Sequence, residues 1–178
     1  MTLLDLLMDR NNDFVDLRFS PQLKINPSQK LMIIGCVDPR VDPTEVLGLE
    51  LGEAAVIRNV GGRVTPATIK TIAMLGRVGQ ANGGGSPGVG WNLIVLHHTD
   101  CGMTDLASFP DLLAEYFEIP GSELAGKSVS DPVGSVKVDV AALHQTGLPG
   151  AFVVTGLVYD VATGRVATHV PSAPLHAE

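Results

Sequence analysis

Charge, aromatic rings and cysteine are all scarce in this 178-residue chain: 17% of its residues are charged and 4% aromatic, with one tryptophan and two cysteines. The charge present leans acidic, 19 Asp and Glu against 12 Lys and Arg, and the basic residues form no run. That argues against nucleic acid or an anionic membrane as a partner. Two cysteines build no disulfide framework, and they fall short of a zinc site closed by thiolates alone. The leucine-rich opening, Met1 to Arg10, lacks the positive flank of a signal peptide, and Asp5 and Asp9 interrupt a run too short to cross a bilayer. Low charge with a mean hydropathy of +0.26 leaves more apolar surface than a monomer of this size accommodates, so self-association is expected.

What is present is an alternation of strand and helix signals, the pattern of an α/β fold with a largely parallel central sheet flanked by helices. A single domain over residues 1–178 is expected. Leu31 to Gly35 is a continuous apolar run, as in a strand buried on both faces. Ala54 to Ile57 and Asn92 to His97 read as further strands, and Ala151 to Val158 turns through Ala162–Arg165 into a last strand over Val166–Val170. Helical spacing marks Pro66 to Val78, Asp105 to Phe117 and Asp131 to His144. The tail 171–178 is expected to be loose. Gly83 to Gly88 matches the spacing of a dinucleotide-binding loop, but a helix precedes it and a strand follows, the reverse of what that motif requires; it reads as a surface loop.

The two cysteines fall where two of these strands end. Cys36-Val37-Asp38-Pro39-Arg40 follows the first strand and His98-Thr99-Asp100-Cys101-Gly102 the third. Zn²⁺ prefers thiolate and imidazole ligands in a tetrahedron, and a catalytic zinc takes three from the protein and leaves the fourth position open. Cys36, His98 and Cys101 make up such a set, and the other histidines, His97, His144, His169 and His176, offer no second pair at ligand spacing. His97, adjacent to a ligand on a strand, points to the opposite face. It reads as a core histidine satisfied by backbone, with proton transfer as the alternative role. Asp38 and Arg40, two apart on an extended segment, face the same side and form a charge-assisted pair. A carboxylate held in this way stays off the metal and accepts a hydrogen bond from metal-bound water instead. Released, Asp38 becomes a fourth ligand in an inactive state.

These segments resemble the β-class carbonic anhydrases, whose C-x-D-x-R and H-x-x-C elements match Cys36, Asp38, Arg40, His98 and Cys101. The likeness continues through Ile57 to Gly62, similar to the family's R-N-x-G segment, and through Gly156 to Gly164, similar to its C-terminal strand and hairpin. It spans about Leu31 to Val170. Leu96 to Met103 carries His97 where many members have glycine, as in a small-subunit branch that also includes carbonyl sulfide hydrolases. Pro39 replaces the usual Ser or Ala, stiffening the dyad.

The resemblance implies a β-carbonic-anhydrase-like fold ending in a strand pair, one Zn²⁺, and reversible hydration of carbon dioxide to bicarbonate by zinc-bound hydroxide. Asp38 and Arg40 would be the catalytic pair. Hydrolysis of carbonyl sulfide or carbon disulfide on the same zinc is the alternative, and a non-catalytic zinc or thiol-switch protein a more distant one. It further implies a homodimer, with a tetramer as the next assembly, in which the amino-terminal helix (residues 1–18) packs on the partner subunit. Arg58 is expected to stabilise the dimer or a loop, and Gly61 and Gly62 to let the backbone approach the site. Cysteines engaged by metal suit a reducing compartment, so a cytoplasmic location is expected.

Overall fold

The computed structural model describes residues 1–85, 88–148 and 152–176. Ala151, the middle of the glycine-rich loop and the last two residues of the tail lie outside the described residues.

Among the described residues the strands form one five-stranded sheet. They are β1 (Leu31–Cys36), β2 (Ala54–Asn59), β3 (Asn92–His98), β4 (Val153–Asp160) and β5 (Arg165–Pro174), in the order β2-β1-β3-β4-β5. All neighbours are parallel except β4 and β5. The helices are α1 (Leu3–Leu17), α2 (Pro43–Leu47), α3 (Pro66–Ala81), α4 (Pro110–Phe117) and α5 (Pro132–His144). The continuous apolar run of β1 is what a central parallel strand requires: five of its six residues are buried. Met32 and Ile34 pack with Leu93 and Val95 of β3, Val154 and Val158 of β4, Ile72 of α3, and Val136, Val140 and Leu143 of α5. Full burial of each such side chain contributes about 1.5–3 kcal/mol. On the opposite face Gly35 leaves room for the Pro43 ring, which a Cβ there would meet at 2.9 Å.

Several expectations need correction. The helix expected over Asp105 to Phe117 is two pieces, a 3₁₀ stretch Gly102–Ser108 and then α4. Pro110 has no N–H to continue a helix, so it starts α4 instead of lying within it. The tail is not loose from Pro171, because β5 pairs with β4 as far as Pro174 and Leu175 is 1% exposed. Asp38 and Arg40 do not lie on an extended segment. Val41 N–H donates to the Asp38 carbonyl at 3.2 Å, closing a turn with Pro39 at its second position.

One buried ion pair joins the turn after β2 to α5, and the sequence reading missed it. Arg63 and Asp139 are each 1% exposed. Arg63 donates from Nε to Asp139 Oδ2 at 2.8 Å, and from Nη2 to Oδ1 at 3.1 Å and to the Lys127 carbonyl at 2.7 Å. The Val64 N–H adds a bond of 3.0 Å to Asp139 Oδ2, and the guanidinium lies 4.8 Å over the Phe117 ring. Burial by itself pushes the Asp139 carboxyl up, but hydrogen bonds from His97 and Arg63 outweigh it and hold the group below the ordinary range. Asp139→Ala, which strands a buried guanidinium, is expected to cost about 3–5 kcal/mol. Thermal and denaturant melts should show this loss, with most of it recovered in Arg63→Met/Asp139→Asn. A wild-type melt for Asp139→Ala would contradict the assignment.

Candidate metal centre

β1 and β3 run side by side and parallel, with Gly35 opposite Leu96, so Cys36 and His98 leave the same edge of the sheet. Cys101 returns to them across a tight turn in which Asp100 takes a left-handed conformation, φ 52°. Gly62 permits the close approach: at φ 66° its missing Cβ would stand 2.9 Å from the Cys36 backbone nitrogen and 3.2 Å from the Leu96 carbonyl oxygen. Cys36 and His98 are buried and Cys101 is half-buried.

The donor atoms of Cys36, His98 and Cys101 lie within 4.8 Å of one another, and Asp38 stands outside that cluster. The two sulfurs are 3.9 Å apart. Around a tetrahedral ion with metal–sulfur bonds of about 2.3 Å, two sulfurs stand roughly 3.8 Å apart. His98 Nδ1 faces the Thr99 carbonyl at 2.9 Å, an acceptor only, so this nitrogen carries the proton. Nε2 is left as a bare lone pair, buried and without a hydrogen-bond partner. A second-shell carbonyl fixing the far nitrogen of a metal-binding histidine has this form. The cysteines behave as one group. Cys36 is drawn well below the ordinary thiol range, first by the hydrogen bond from Cys101 and further by His98, while Cys101 is pushed up by that same bond. Burial works to lower His98, but its contact with Cys36 leaves it raised. A cation among the three would replace the protons they share, so the donor set fits a thiophilic divalent metal.

Two arginines fix the loops around this cluster. Arg40 donates from Nη2 to Asp38 Oδ2 at 2.7 Å and from Nε to Oδ1 at 3.1 Å. It then reaches the other loop, from Nη1 to the Asp100 carboxylate at 2.7 Å and from Nη2 to the Asp100 carbonyl at 2.8 Å. The hydrogen bond from Arg40 is the main cause that holds the Asp38 carboxyl down at about 2. Arg58 donates to the carbonyls of Cys36 and Asp38, both at 2.8 Å, and to the Asp42 carboxylate at 2.6 Å. Of the two roles expected for Arg58, the loop is therefore the one seen within the chain. Asp42 also caps α2, accepting from Thr44 N–H at 2.9 Å. The parts played by Asp42 and Asp100 were not foreseen; the acidic residue beside Cys101 was the available signal.

These groups open into a cavity of about 560 Å³ whose lining includes Asp38, His98 and Cys101 together with Arg63, His97 and Ser135. His97 is 2% exposed and points to the face opposite His98, as alternation on a strand requires. Its Nε2 faces the Gly62 carbonyl at 3.2 Å and Asp139 Oδ2 at 3.3 Å, both acceptors, which assigns the proton to Nε2. Its Nδ1 lies 2.7 Å from the Ser135 hydroxyl. His97 is thus a satisfied core histidine, held by side chains as well as by backbone.

The sequence profile of a family described as carbonic anhydrase matches residues 31–116, a span that contains all five residues singled out above. A protein named β-carbonic anhydrase 1 from Mycobacterium tuberculosis is 30% identical over 174 residues, covering 96% of this chain and 100% of the relative. A carbon disulfide hydrolase from Saccharolobus solfataricus is 35% identical over 89 residues, which is 50% of this chain and 38% of that protein. Among solved structures, the carbonic anhydrase of Streptococcus mutans aligns with a TM-score of 0.71 at 31% identity, over 94% of this chain and 98% of the other.

Proposed function

Because this chain belongs to the β-carbonic anhydrase family, we propose that it holds one Zn²⁺ through Cys36, His98 and Cys101 and interconverts carbon dioxide and bicarbonate. The observation that carries the reading is the buried, unpartnered Nε2 of His98 facing two cysteine sulfurs 3.9 Å apart, beside a carboxylate that Arg40 keeps aside. Zinc in such a site supplies Lewis acidity and lowers the pKa of water towards about 7. The chain's own residues do the rest. Asp38 stays ionised across the working pH range because Arg40 holds it at about 2, so it acts only as an acceptor. Asp38 would therefore accept a hydrogen bond from a nucleophilic water held in the site and so orient it for attack on the substrate carbon. Arg40, bonded to Asp38 and Asp100 at once, prevents the carboxylate from swinging among the sulfurs. Met103 and Val129 line the same cavity and give a neutral linear molecule an apolar wall.

Carbon dioxide is favoured over carbon disulfide because the relative that matches along its whole length bears the carbonic anhydrase name, whereas the carbon disulfide hydrolase matches over half of this chain. Parallel assays of the purified protein with carbon dioxide, carbonyl sulfide and carbon disulfide, alongside metal analysis, are expected to give about one zinc per chain and turnover chiefly with carbon dioxide. Cys36→Ser or Cys101→Ser should lose metal and turnover together. A zinc-loaded protein that hydrolyses carbon disulfide but does not hydrate carbon dioxide would overturn the substrate assignment.

Arg40→Ala is expected to lower turnover about 10–100-fold with zinc retained, since it removes a partner that orients the site without removing a ligand. Full activity in this variant would show that Asp38 needs no restraint.

The reading extends to assembly. None of α1's residues is buried, and Leu3, Leu4, Leu7 and Met8 are exposed on it. β2 lies at the edge of the sheet, where a further strand can be received. We take the protein to be a homodimer in which α1 covers its partner, located in the cytoplasm. Removing residues 1–17 should dissociate or precipitate it. Light scattering that finds an active dimer of the truncated chain would place the interface elsewhere.

A further inference from the structure

The Thr99 carbonyl that accepts from His98 Nδ1 is itself held from outside the metal centre. Thr99 follows β3, and because His98 stands opposite Tyr159 in the parallel pairing of β3 with β4, Thr99 comes level with the corner where β4 turns back into β5. Its N–H donates to the Tyr159 carbonyl at 2.9 Å. Its hydroxyl donates to Asp160 Oδ1 at 3.2 Å and accepts from the Val161 N–H at 3.1 Å. The single hydrogen and an acceptor site of that hydroxyl are thus both engaged by the corner. Threonine is stiff at χ1, so fixing its hydroxyl also fixes its backbone.

Asp160 is fixed in turn. Its Oδ1 also accepts from the Ala162 N–H at 3.0 Å and its Oδ2 from the Thr163 hydroxyl at 2.8 Å, which forms an Asx turn. The hairpin is closed separately, by the Asp160 carbonyl accepting from the Gly164 N–H at 2.8 Å. The bonds to Thr99 are therefore not the ones that close the hairpin; they run from it to the metal loop. On the other side of that loop Arg40 Nη2 holds the Asp100 carbonyl at 2.8 Å. With its nitrogen and hydroxyl tied to the corner and the next carbonyl tied to Arg40, Thr99 has little freedom to turn its own carbonyl away from His98.

We propose that Thr99 and Asp160 are positioning residues of the metal centre. By clamping the Thr99 carbonyl they fix the tautomer and ring plane of His98, and so set how tightly the site keeps its metal. The proposal rests on the reading of Cys36, His98 and Cys101 as ligands. Among the described residues, neither Thr99 nor Asp160 belongs to the ligand cluster or to the lining of its cavity, so their effect passes through the carbonyl.

Two measurements on the full chain test this: zinc affinity by competition with a chromophoric chelator, and exchange with water of the His98 Nδ1–H in the zinc-loaded, ¹⁵N-labelled protein. Thr99→Val and Asp160→Ala are each expected to weaken zinc binding roughly tenfold, the lower end of what loss of an outer partner of a ligating histidine costs, and to speed the exchange. The two changes combined should cost no more than either alone, because they break one link. Thr99→Ser and Asp160→Asn keep the hydroxyl and its acceptor and should restore the wild-type affinity. Thr163→Val removes a contact of Asp160 within the hairpin and leaves Thr99 untouched; its zinc affinity should match wild type even if it melts earlier. Wild-type affinity and exchange in both Thr99→Val and Asp160→Ala, or a loss in Thr163→Val as large as that in Asp160→Ala, would overturn the clamp while leaving the metal site standing. A wild-type chain that binds no zinc would overturn the metal site and the clamp with it.

Discussion

The parallel pairing of β1 with β3 is the constraint on which the rest depends. Two neighbouring parallel strands end at the same edge of the sheet, so the residues that follow them are brought together by backbone hydrogen bonds alone. Cys36 closes β1 and His98 closes β3, and their donors meet without a long loop to order. Sites in open α/β sheets lie at the carboxyl ends of strands for this reason. The strand core, Met32 and Ile34 against Leu93 and Val95, is therefore also the foundation of the metal cluster.

Around that edge a chain poor in charge concentrates its arginines. Arg58 holds the loop after β1 through the carbonyls of Cys36 and Asp38, Arg40 ties that loop to the one after β3, and Arg63 ties the turn after β2 to α5. Each has several donors in a fixed plane, which lysine lacks. The three differ in burial and so in energetic weight. The side chain of Arg40 is half exposed and screened by water, whereas Arg63 and Asp139 are sealed in the interior, where removal of one partner strands the other. Arg40 thus matters for orientation and Arg63 for stability.

Much of this was legible in the sequence. The strands ending at Cys36 and His98 announce themselves as uninterrupted apolar runs, and two cysteines with one histidine at ligand spacing leave few other readings of the donor set. Alternation along β3 was enough to send His97 away from the ligand cluster. What the sequence concealed is long-range polar pairing. Arg63 and Asp139 lie 76 residues apart, and nothing local distinguishes a buried arginine from an exposed one. The paired roles of Asp42 and Asp100 are hidden for the same reason. Pro110 was readable but passed over: the apolar spacing of Leu106, Leu112, Leu113 and Phe117 suggested one helix, and the missing N–H divides it into two. The tail misled because its small and apolar residues resemble a frayed terminus, whereas β5 continues its pairing to Pro174 and Leu175 inserts into the core.

The central claim is that three side chains, two closing adjacent strands and one from the turn after β3, hold one zinc and leave its fourth position open to water while Arg40 restrains Asp38. X-ray absorption at the zinc edge, recorded on the wild-type protein in solution, tests it most directly. The account predicts two sulfurs at about 2.3 Å, one imidazole nitrogen at about 2.0–2.1 Å and one further light atom, with the spectrum unchanged in Asp38→Asn. A first shell with fewer than two sulfurs, or one that loses its light atom in Asp38→Asn, would contradict it.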